Sequence, residues 1–312
     1  MFKIKSKTPS VQDNVEIIAD YIEVKCLISE NKSVSIRRII HSLLRSSDTF
    51  ETSGIEDFDD TIISKTELIS SEFQRRINSS NSRYPFNILH HGEVLEFKGL
   101  ENLHSLIYTY LLFATRLNMT ENKKFDNIDG TGILEKISSY VAANYFGSRS
   151  THLILGTSVK GGFEKKVNNL CKKLGEGIKF VNRSKGSIDE NDDKVDIVVW
   201  IDFSDKRVSK FIGFGQCKTG TNWENDRFQL QPIEFCKKWL HSQPVVDPIR
   251  MFFLADIVED EIWHKRAVDA GLLFDRLRIL DHFPTSGIPA VLLKEITSWT
   301  THAINFTQKN LN

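Results

Sequence analysis

The segment KVDIVVWIDFSDKRVSKFIGFGQCKTG, residues 194–220, decides the fold of the second half of the chain. It holds two apolar runs separated by the polar turn SDKR, a pattern that indicates two paired strands. Asp196 begins the first run, and Gln216 and Lys218 end the second. Because side chains alternate between faces along a strand, Gln216 and Lys218 share one face, while Cys217 is expected to point the other way as a small core residue. In a hairpin, Asp196 would meet Gln216 and Lys218.

A carboxylate, an amide and an amine at the ends of two adjacent strands are suited to metal-dependent hydrolysis. Carboxylate and amide oxygens are ligands for a hard ion such as Mg²⁺. A lysine beside the ion can orient or deprotonate a water that attacks phosphorus, and the metal stabilises the charge that develops. Glu164, in the first turns of the helix before these strands, adds a further acid. The pattern Glu/Gln-x-Lys recurs elsewhere in the chain, but only the triplet at Gln216 has an upstream aspartate on a neighbouring strand.

This arrangement resembles the PD-(D/E)xK nuclease superfamily, and within it the Mrr-like restriction endonucleases, whose third motif reads QxK. The resemblance covers about a third of the chain, Gly161 to Asp256, in element order as well as in motif residues. It implies that Glu164 is the helix acid and Asp196 the central metal-binding aspartate. Gln216 then corresponds to the variable metal ligand and Lys218 to the catalytic lysine. No proline precedes Asp196, and Gln216 in place of Glu lowers the negative charge at the metal.

The resemblance implies an α/β fold with a restriction-endonuclease-like core, an αβββαβ mixed sheet flanked by helices. GGFEKKVNNLCKKLGEG (161–177) is the expected first helix of that core, since its apolar residues follow one helical face. The alternating pattern predicts short strands at HLILG (152–156) and IKFVN (178–182). After the hairpin, FQLQPIEFCKKWL (228–240) predicts a helix and PIRMFFLAD (248–256) a strand.

Residues 1–125 are predicted to form a separate, mostly helical domain, and residues 126–312 the nuclease domain. Apolar spacing predicts helices in VQDNVEIIADYIEVKCLI, SVSIRRIIHSLLR and DDTIISKTELISSEFQRRI, and a short strand in EVLEFKG. Three helices and a strand pair favour a winged-helix-like unit. Two interpretations of this unit are open: a DNA-binding winged helix, or a helical scaffold or oligomerisation module. Its clustered basic residues are Arg37, Arg38, Arg75 and Arg76.

Candidate substrate-binding residues lie on both sides of the motif. Lys160 belongs to a basic stretch suited to phosphate contacts. Hydrogen-bond donors and an aromatic ring just past the motif lysine are placed to hold the scissile phosphate or an adjacent base; they are Thr219, Asn222, Trp223 and Arg227. Trp223 has an equally good interpretation as a lid over the core.

Each motif residue also has a structural interpretation. Asp196 could be a solvent-facing acid at a strand end, and Lys218 an edge-strand charge that blocks aggregation. Glu164 could be a first-turn acid favoured by the helix dipole. All of these would have to coincide in the correct order, so the joint pattern favours a nuclease site.

Composition restricts the remaining classes of function. The net charge is zero, with 41 basic and 41 acidic residues, so overall charge does not indicate a nucleic-acid or membrane partner. The four cysteines lack CxxC spacing, which is typical of reduced thiols in a cytoplasmic protein. The segment MFKIKSKTPSVQDN has no apolar core of the kind found in signal peptides. LIYTYLLFATRL is too short to span a bilayer and is predicted to be a buried helix.

The resemblance implies an endonuclease that hydrolyses DNA phosphodiester bonds with Mg²⁺, or with Mn²⁺ as a substitute, in restriction or anti-phage defence. DNA is the expected partner, a homodimer or a partner defence protein is a further option, and no membrane is involved. Two alternatives are a catalytically silent nuclease-fold subunit that binds DNA or acts as a scaffold, and a nuclease that cleaves RNA.

Overall fold

The computed structural model describes residues 2–5, 8–46, 55–183 and 194–311. The chain divides into a first unit, Met1–Asp126 with Ile296–Asn312, and a second unit, Asn127–Glu295. The division lies one residue from the predicted boundary. Residues 296–312, expected in the nuclease domain, belong instead to the first unit. The reason is aromatic packing, since the ring of Trp299 lies 5.3 Å from that of Tyr110 and 5.6 Å from that of Phe125.

The first unit combines helices with a small antiparallel sheet. Its strands have the order β1-β3-β2. Its elements are α1 (Val15–Ile28), β1 (Ser33–Ser35), α2 (Ile36–Arg45), α3 (Ile55–Ser79), β2 (Phe86–Leu89), β3 (Val94–Phe97) and α4 (Leu103–Arg116). The three predicted helices and the strand at EVLEFKG are present. The helix predicted in SVSIRRIIHSLLR begins at Ile36, and Ser35, one of the two serines suited to cap it, accepts a hydrogen bond from the Arg38 backbone N–H (3.2 Å); residues 33–35 also pair with β3 as a short strand.

A buried ionic network lies between α1 and α3. Arg76 is fully buried, and its guanidinium lies 2.7 Å from a carboxylate oxygen of each of Asp20, Glu23 and Glu72. Arg75 pairs with Glu72 at 2.6 Å. Arg76 is therefore a core residue and not a surface cation available to DNA. Removing its charge would take away a cation that three buried carboxylates share.

The helix α4 is buried along its whole length, as its apolar sequence predicts. Among the described residues, no helix is both long enough and apolar enough to cross a membrane. The short strands β4 (Lys124–Phe125) and β5 (Ile128–Asp129) occupy the chain on either side of the division.

The second unit is built on a five-stranded mixed sheet, as predicted for an α/β fold. The strand order is β10-β9-β8-β7-β6, with antiparallel pairing from β6 to β8 and parallel pairing from β8 to β10. Its elements are α5 (Gly130–Phe146), β6 (Ser150–Ile154), α6 (Phe163–Leu174), β7 (Ile197–Ile201), β8 (Ile212–Lys218), α7 (Pro232–Trp239), β9 (Ile249–Leu254), α8 (Asp260–Ala270), β10 (Leu272–Phe274) and α9 (Arg276–His282); α10 (Ala290–Leu311) follows.

One predicted strand is absent, and this changes the order of the core. The segment 178–182 makes only an isolated bridge between Phe180 and Leu240. Its apolar residues are used differently, since the ring of Phe180 stacks on Trp239 of α7 at 5.8 Å. The first of the three antiparallel strands is therefore β6, and the helix that precedes it is α5. The helix α6, expected to open the core, lies between β6 and β7 in the chain.

The β7–β8 hairpin packs differently on its two faces. Val198, Trp200 and Phe214 face a buried apolar cluster that includes residues of α6 and α7. On the other face β8 has glycines, and a Cβ at Gly213 would lie 2.8 Å from the ring of Phe146 at the end of α5. These glycines allow α5 to lie close against β8. The closeness of α5 determines which helix reaches the end of the hairpin.

Candidate active site

A cavity of about 400 Å³, hereafter the first cavity, lies where β7 begins and β8 ends. Asp196, Gln216 and Lys218 line it together, and Glu135 of α5 joins them. The hairpin register places these residues, because the Asp196 backbone N–H donates to the Gly215 carbonyl at 2.9 Å. The predicted convergence of Asp196, Gln216 and Lys218 is present in the structure.

Asp196 is held by the opposite strand and has a raised pKa. The Cys217 backbone N–H donates to its Oδ2 at 2.7 Å. Burial, and after it the negative charge of Glu135, raise the pKa of the Asp196 carboxyl to about 7 overall. The hydrogen bond from Cys217 and the charges of Lys218 and Lys194 act in the opposite direction. Two carboxylates in one cavity ionise together most readily when a cation lies between them.

Glu135 is an acid that the sequence analysis did not find. It is 5% exposed and accepts three hydrogen bonds, from the Thr157 backbone N–H (3.1 Å), the Thr157 hydroxyl (3.0 Å) and the Ser158 backbone N–H (2.9 Å). A Cβ at Gly156 would lie 2.5 Å from the Glu135 carboxylate, so glycine at this position lets the loop after β6 lie close to Glu135. The sequence does contain one signal for this residue, because Glu135 interrupts the apolar side of the helix predicted in ILEKISSYV, residues 133–141.

Gln216 is buried without hydrogen-bond partners. It is 1% exposed, and neither its Oε1 nor its Nε2 has a partner among the described residues. Leaving a buried polar group unsatisfied costs about 1–3 kcal/mol, so such groups in native proteins need an explanation. A ligand in the first cavity that contacts the amide supplies one.

Lys218 provides a cation at the edge of the first cavity. Its side chain is 25% exposed, and its Nζ lies 2.8 Å from Oδ2 of Asp226. Two further lysines line the same cavity, Lys166 and Lys194. The Nζ of Lys166 donates to the Gly156 carbonyl at 3.0 Å. The first cavity therefore combines two carboxylates with several ammonium groups, as expected where a metal and a polyanion meet.

The structure does not bring Glu164 to the other motif residues. Glu164 is exposed in the first turn of α6, and it does not line the first cavity. Phe163 and Lys166 of the same helix do line it. A step of about 100° per residue turns Glu164 away from their face. The place expected for Glu164 is occupied by Glu135, because α5 and not α6 precedes the antiparallel strands.

Cys217 also differs from its expected place. It is partly exposed and lines the first cavity, so it is not a core residue. Burial of the thiol and the charge of Asp196 raise the pKa of Cys217 well above its usual range. Cys217 therefore remains a neutral thiol beside the carboxylates.

The predicted substrate-binding residues separate into three groups. Thr219 lines the first cavity, and Lys160 lines a second cavity described below. Asn222 is exposed and lines neither. Trp223 is 5% exposed and packs in an apolar cluster with Phe252 of β9, so it is the core lid and not a stacking platform for a base.

Arg227 is occupied by contacts within the protein. Its Nε lies 2.8 Å from the Asp269 carboxylate, and its guanidinium lies 4.2 Å from the ring centre of Phe228. It lines neither cavity. Arg227 therefore links the loop after β8 to α8.

The first cavity contains oxygen atoms of the type that bind hard metal ions. Within the described ranges, no group of three or more His, Cys, Asp and Glu side chains is placed to hold a metal. Glu135, Asp196 and the partnerless Gln216 amide are oxygen donors, the type that Mg²⁺ and Mn²⁺ prefer. Mg²⁺ usually keeps several waters and binds through one or two carboxylates, so this set fits it.

Comparisons of the chain with protein-family models, with curated proteins and with solved structures found no match. Function is therefore inferred from the residues of the cavity and from the order of the elements that position them.

Proposed function

We propose that this chain is a metal-dependent endonuclease that hydrolyses phosphodiester bonds of DNA. The observation that carries the proposal is the partnerless, buried Gln216 amide in a cavity shared with Asp196, Glu135 and Lys218. The element order α5-β6-α6-β7-β8-α7-β9 supports it, since apart from α6, which lies between β6 and β7, it follows the αβββαβ order implied by the resemblance to PD-(D/E)xK nucleases.

Glu135, Asp196 and the Oε1 atom of Gln216 would hold Mg²⁺ or Mn²⁺. A bound divalent ion supplies electrophilic stabilisation of the charge that develops on the phosphate oxygens. A bound cation would favour the ionised form of Asp196, whose pKa is raised by burial and by the negative charge of Glu135. The Cys217 N–H, which donates to Oδ2, would hold that carboxylate in place.

Lys218 and Thr219 would act on the substrate. In the free protein, Asp226 holds the Lys218 ammonium 2.8 Å away. A phosphate oxygen at the cavity edge competes with Asp226 for that ammonium, which then donates to the phosphate or orients the attacking water. Thr219 also lines the first cavity, and its hydroxyl is a second donor for a phosphate there.

The first unit has the element order α1-β1-α2-α3-β2-β3, which supports a winged-helix-like arrangement. The second helix of a helix-turn-helix pair usually lies in the major groove. Here the exposed residues of α3 include acidic and apolar side chains beside uncharged polar ones, and among the described side chains of 58–79 no lysine or arginine is exposed; the acidic and apolar ones are Asp59, Asp60, Ile63, Glu67 and Leu68. Carboxylates repel phosphate, so this surface favours a protein-binding role for the first unit over DNA reading.

The test is a cleavage assay with matched acidic variants. Purified protein is incubated with supercoiled plasmid DNA and with RNA of similar length, in Mg²⁺, in Mn²⁺ and in EDTA. Glu135→Gln, Asp196→Asn and Lys218→Gln are compared with Glu164→Gln, which removes an exposed acid of the same unit from outside the first cavity. We expect metal-dependent DNA cleavage that the first three variants lose and Glu164→Gln retains.

A second measurement does not depend on activity. Mg²⁺ should raise the midpoint of thermal unfolding of the wild type and of Glu164→Gln, but not that of Asp196→Asn. Cleavage of RNA but not of DNA would mean that the substrate is RNA, and the assignment of the site residues would still hold. A wild type that neither cleaves a nucleic acid nor responds to Mg²⁺ would show that the chain is a silent subunit, and the proposal would be wrong.

A further inference from the structure

A second cavity, of about 350 Å³, lies beside the first. It is lined by His152–Ile154 of β6, by Val159–Gly161 of the following loop, and by Lys165, Lys166 and Asn169 of α6. Lys166 lines both cavities, so they share a wall. A molecule in the first cavity that extends past Lys166 enters the second.

The second cavity is basic. Three lysines line it, Lys160, Lys165 and Lys166, and no acidic residue of the described part of the chain does. Lys160 and Lys165 are exposed, and within the described ranges neither forms an ion pair. Burial and the charge of Lys173 lower the pKa of His152, so this ring is neutral and does not add to the charge. Asn169 contributes an amide that can donate a hydrogen bond.

The loop 155–162 ties this basic wall to the acidic residues of the first cavity. Lys166 donates to the Gly156 carbonyl. Glu135 accepts from the backbone N–H groups of Thr157 and Ser158, the two residues that come directly before Val159. Two anchored points in one short loop determine the spacing between the carboxylates and Lys160. The loop and α6 lie between β6 and β7 in the chain.

We propose that the second cavity binds the phosphodiester group adjacent to the scissile phosphate on the cleaved strand. The proposal rests on the proposed nuclease function and deepens it, because it assigns Lys160 and Lys165 to substrate positioning. Lysine contacts to a strand of phosphates are favourable and depend on salt concentration, since each contact releases counterions. Successive phosphates therefore occupy the two cavities, with Lys166 between them.

The experiment compares two double variants with equal loss of charge. Lys160→Gln with Lys165→Gln removes the basic wall. Lys172→Gln with Lys179→Gln is the control, since both lysines are exposed in the same unit and line neither cavity. Binding of the wild type and both variants to a fluorescent DNA duplex is measured in EDTA, where a metal-dependent enzyme cannot cut, at several salt concentrations.

We expect the Lys160/Lys165 variant to bind about tenfold more weakly, with the slope of log K against log salt lower by about one. The control should keep the wild-type slope. In Mg²⁺, the Lys160/Lys165 variant should raise KM and leave kcat at saturation unchanged. Equal slopes for both double variants would overturn the proposal.

A chemical change in the substrate locates the contact. Each phosphate next to the mapped cut site is replaced in turn by an uncharged methylphosphonate. One of the two replacements should weaken wild-type binding and have no further effect on the Lys160/Lys165 variant, because the two changes remove the same contact. Additive losses would contradict the proposal. Binding with the expected slopes but without any cleavage would refute the nuclease function and leave this binding site, so the two failures are distinguishable.

Discussion

Replacing Asp196 with asparagine is expected to stabilise the metal-free protein at and above neutral pH. The carboxyl has an ordinary pKa of 3.8 and a pKa of about 7 in the folded protein, because it is buried beside Glu135. A raised carboxyl pKa means that folding favours the protonated form. Its contribution to stability is therefore complete below pH about 4 and is lost as pH rises through about 7.

The magnitude follows from that difference. Each pKa unit corresponds to about 1.36 kcal/mol, so the full penalty of ionised Asp196 is roughly 4 kcal/mol. Asparagine carries no charge and avoids this penalty, and its amide oxygen can still accept the hydrogen bond from the Cys217 N–H. The free energy of unfolding of Asp196→Asn should exceed that of the wild type by up to roughly 4 kcal/mol at pH 8 and by about zero at pH 4.

The assay is urea unfolding in EDTA at half-unit steps from pH 4 to pH 8.5. Asp202→Asn is the matched control, because Asp202 follows the other end of β7 and its carboxylate lies 2.7 Å from the Lys210 ammonium. Burial alone would raise the pKa of Asp202, but hydrogen bonds from Lys210 and Lys206 lower it overall. Its contribution is present above the ordinary pKa and is lost as pH falls, so Asp202→Asn should destabilise at pH 8.

Two results would refute this reasoning. One is a difference between Asp196→Asn and wild type that does not change with pH. The other is a variant less stable than wild type at pH 8, which would mean that ionised Asp196 is already satisfied by protein groups. If the first cavity binds Mg²⁺, a concentration of one hundred times Kd should restore about 2.7 kcal/mol to the wild type only.

Three further substitutions test separate parts of the structure. Gln216→Met removes two partnerless polar atoms, so metal-free protein should gain about 1–3 kcal/mol in urea unfolding while its response to Mg²⁺ disappears. Arg76→Met removes the cation that lies 2.7 Å from the buried carboxylates of Asp20 and Glu23, although Arg116 still pairs with Asp20, and should cost about 3–5 kcal/mol; a loss below 1 kcal/mol would contradict the buried network. Trp223→Ala should destabilise by about 3–5 kcal/mol, with KM of the folded fraction unchanged; a raised KM at unchanged stability would restore the base-stacking role.

The strand hairpin and its polar residues were predictable from the sequence, because both depend on short-range alternation. Asp196, Gln216 and Lys218 interrupt apolar runs, and a two-strand register is enough to bring them together. The helix acid was not predictable in the same way. Glu135 and Glu164 each lie on a helix near a strand, and only long-range packing of α5 on the glycines of β8 selects Glu135.

The missing strand at 178–182 shows the same limit. Its apolar residues satisfy a strand pattern, but its backbone bonds to the chain around the end of α7 and not to the sheet, as in the 2.9 Å bond from the Val181 N–H to the Trp239 carbonyl, and the Phe180 ring stacks on Trp239. Trp223 and Arg227 follow the motif as substrate residues would, yet the partners that occupy them, Phe252 and Asp269, are distant in sequence. Partners so distant in sequence cannot be predicted from the residues around Trp223 and Arg227.

The assignment of residues 296–312 to the first unit has a consequence for how the protein is made and handled. The second unit begins after residue 126 and ends at residue 295, so it is inserted within the first. During synthesis, every residue of the inserted unit leaves the ribosome before Trp299, whose buried ring completes the aromatic cluster with Tyr110 and Phe125. The usual order, in which the N-terminal unit folds first, is thus reversed, because the first unit needs residues 296–312 to complete its core. After a single proteolytic nick near residue 126, the second unit remains covalently linked to the last residues of the first through α10.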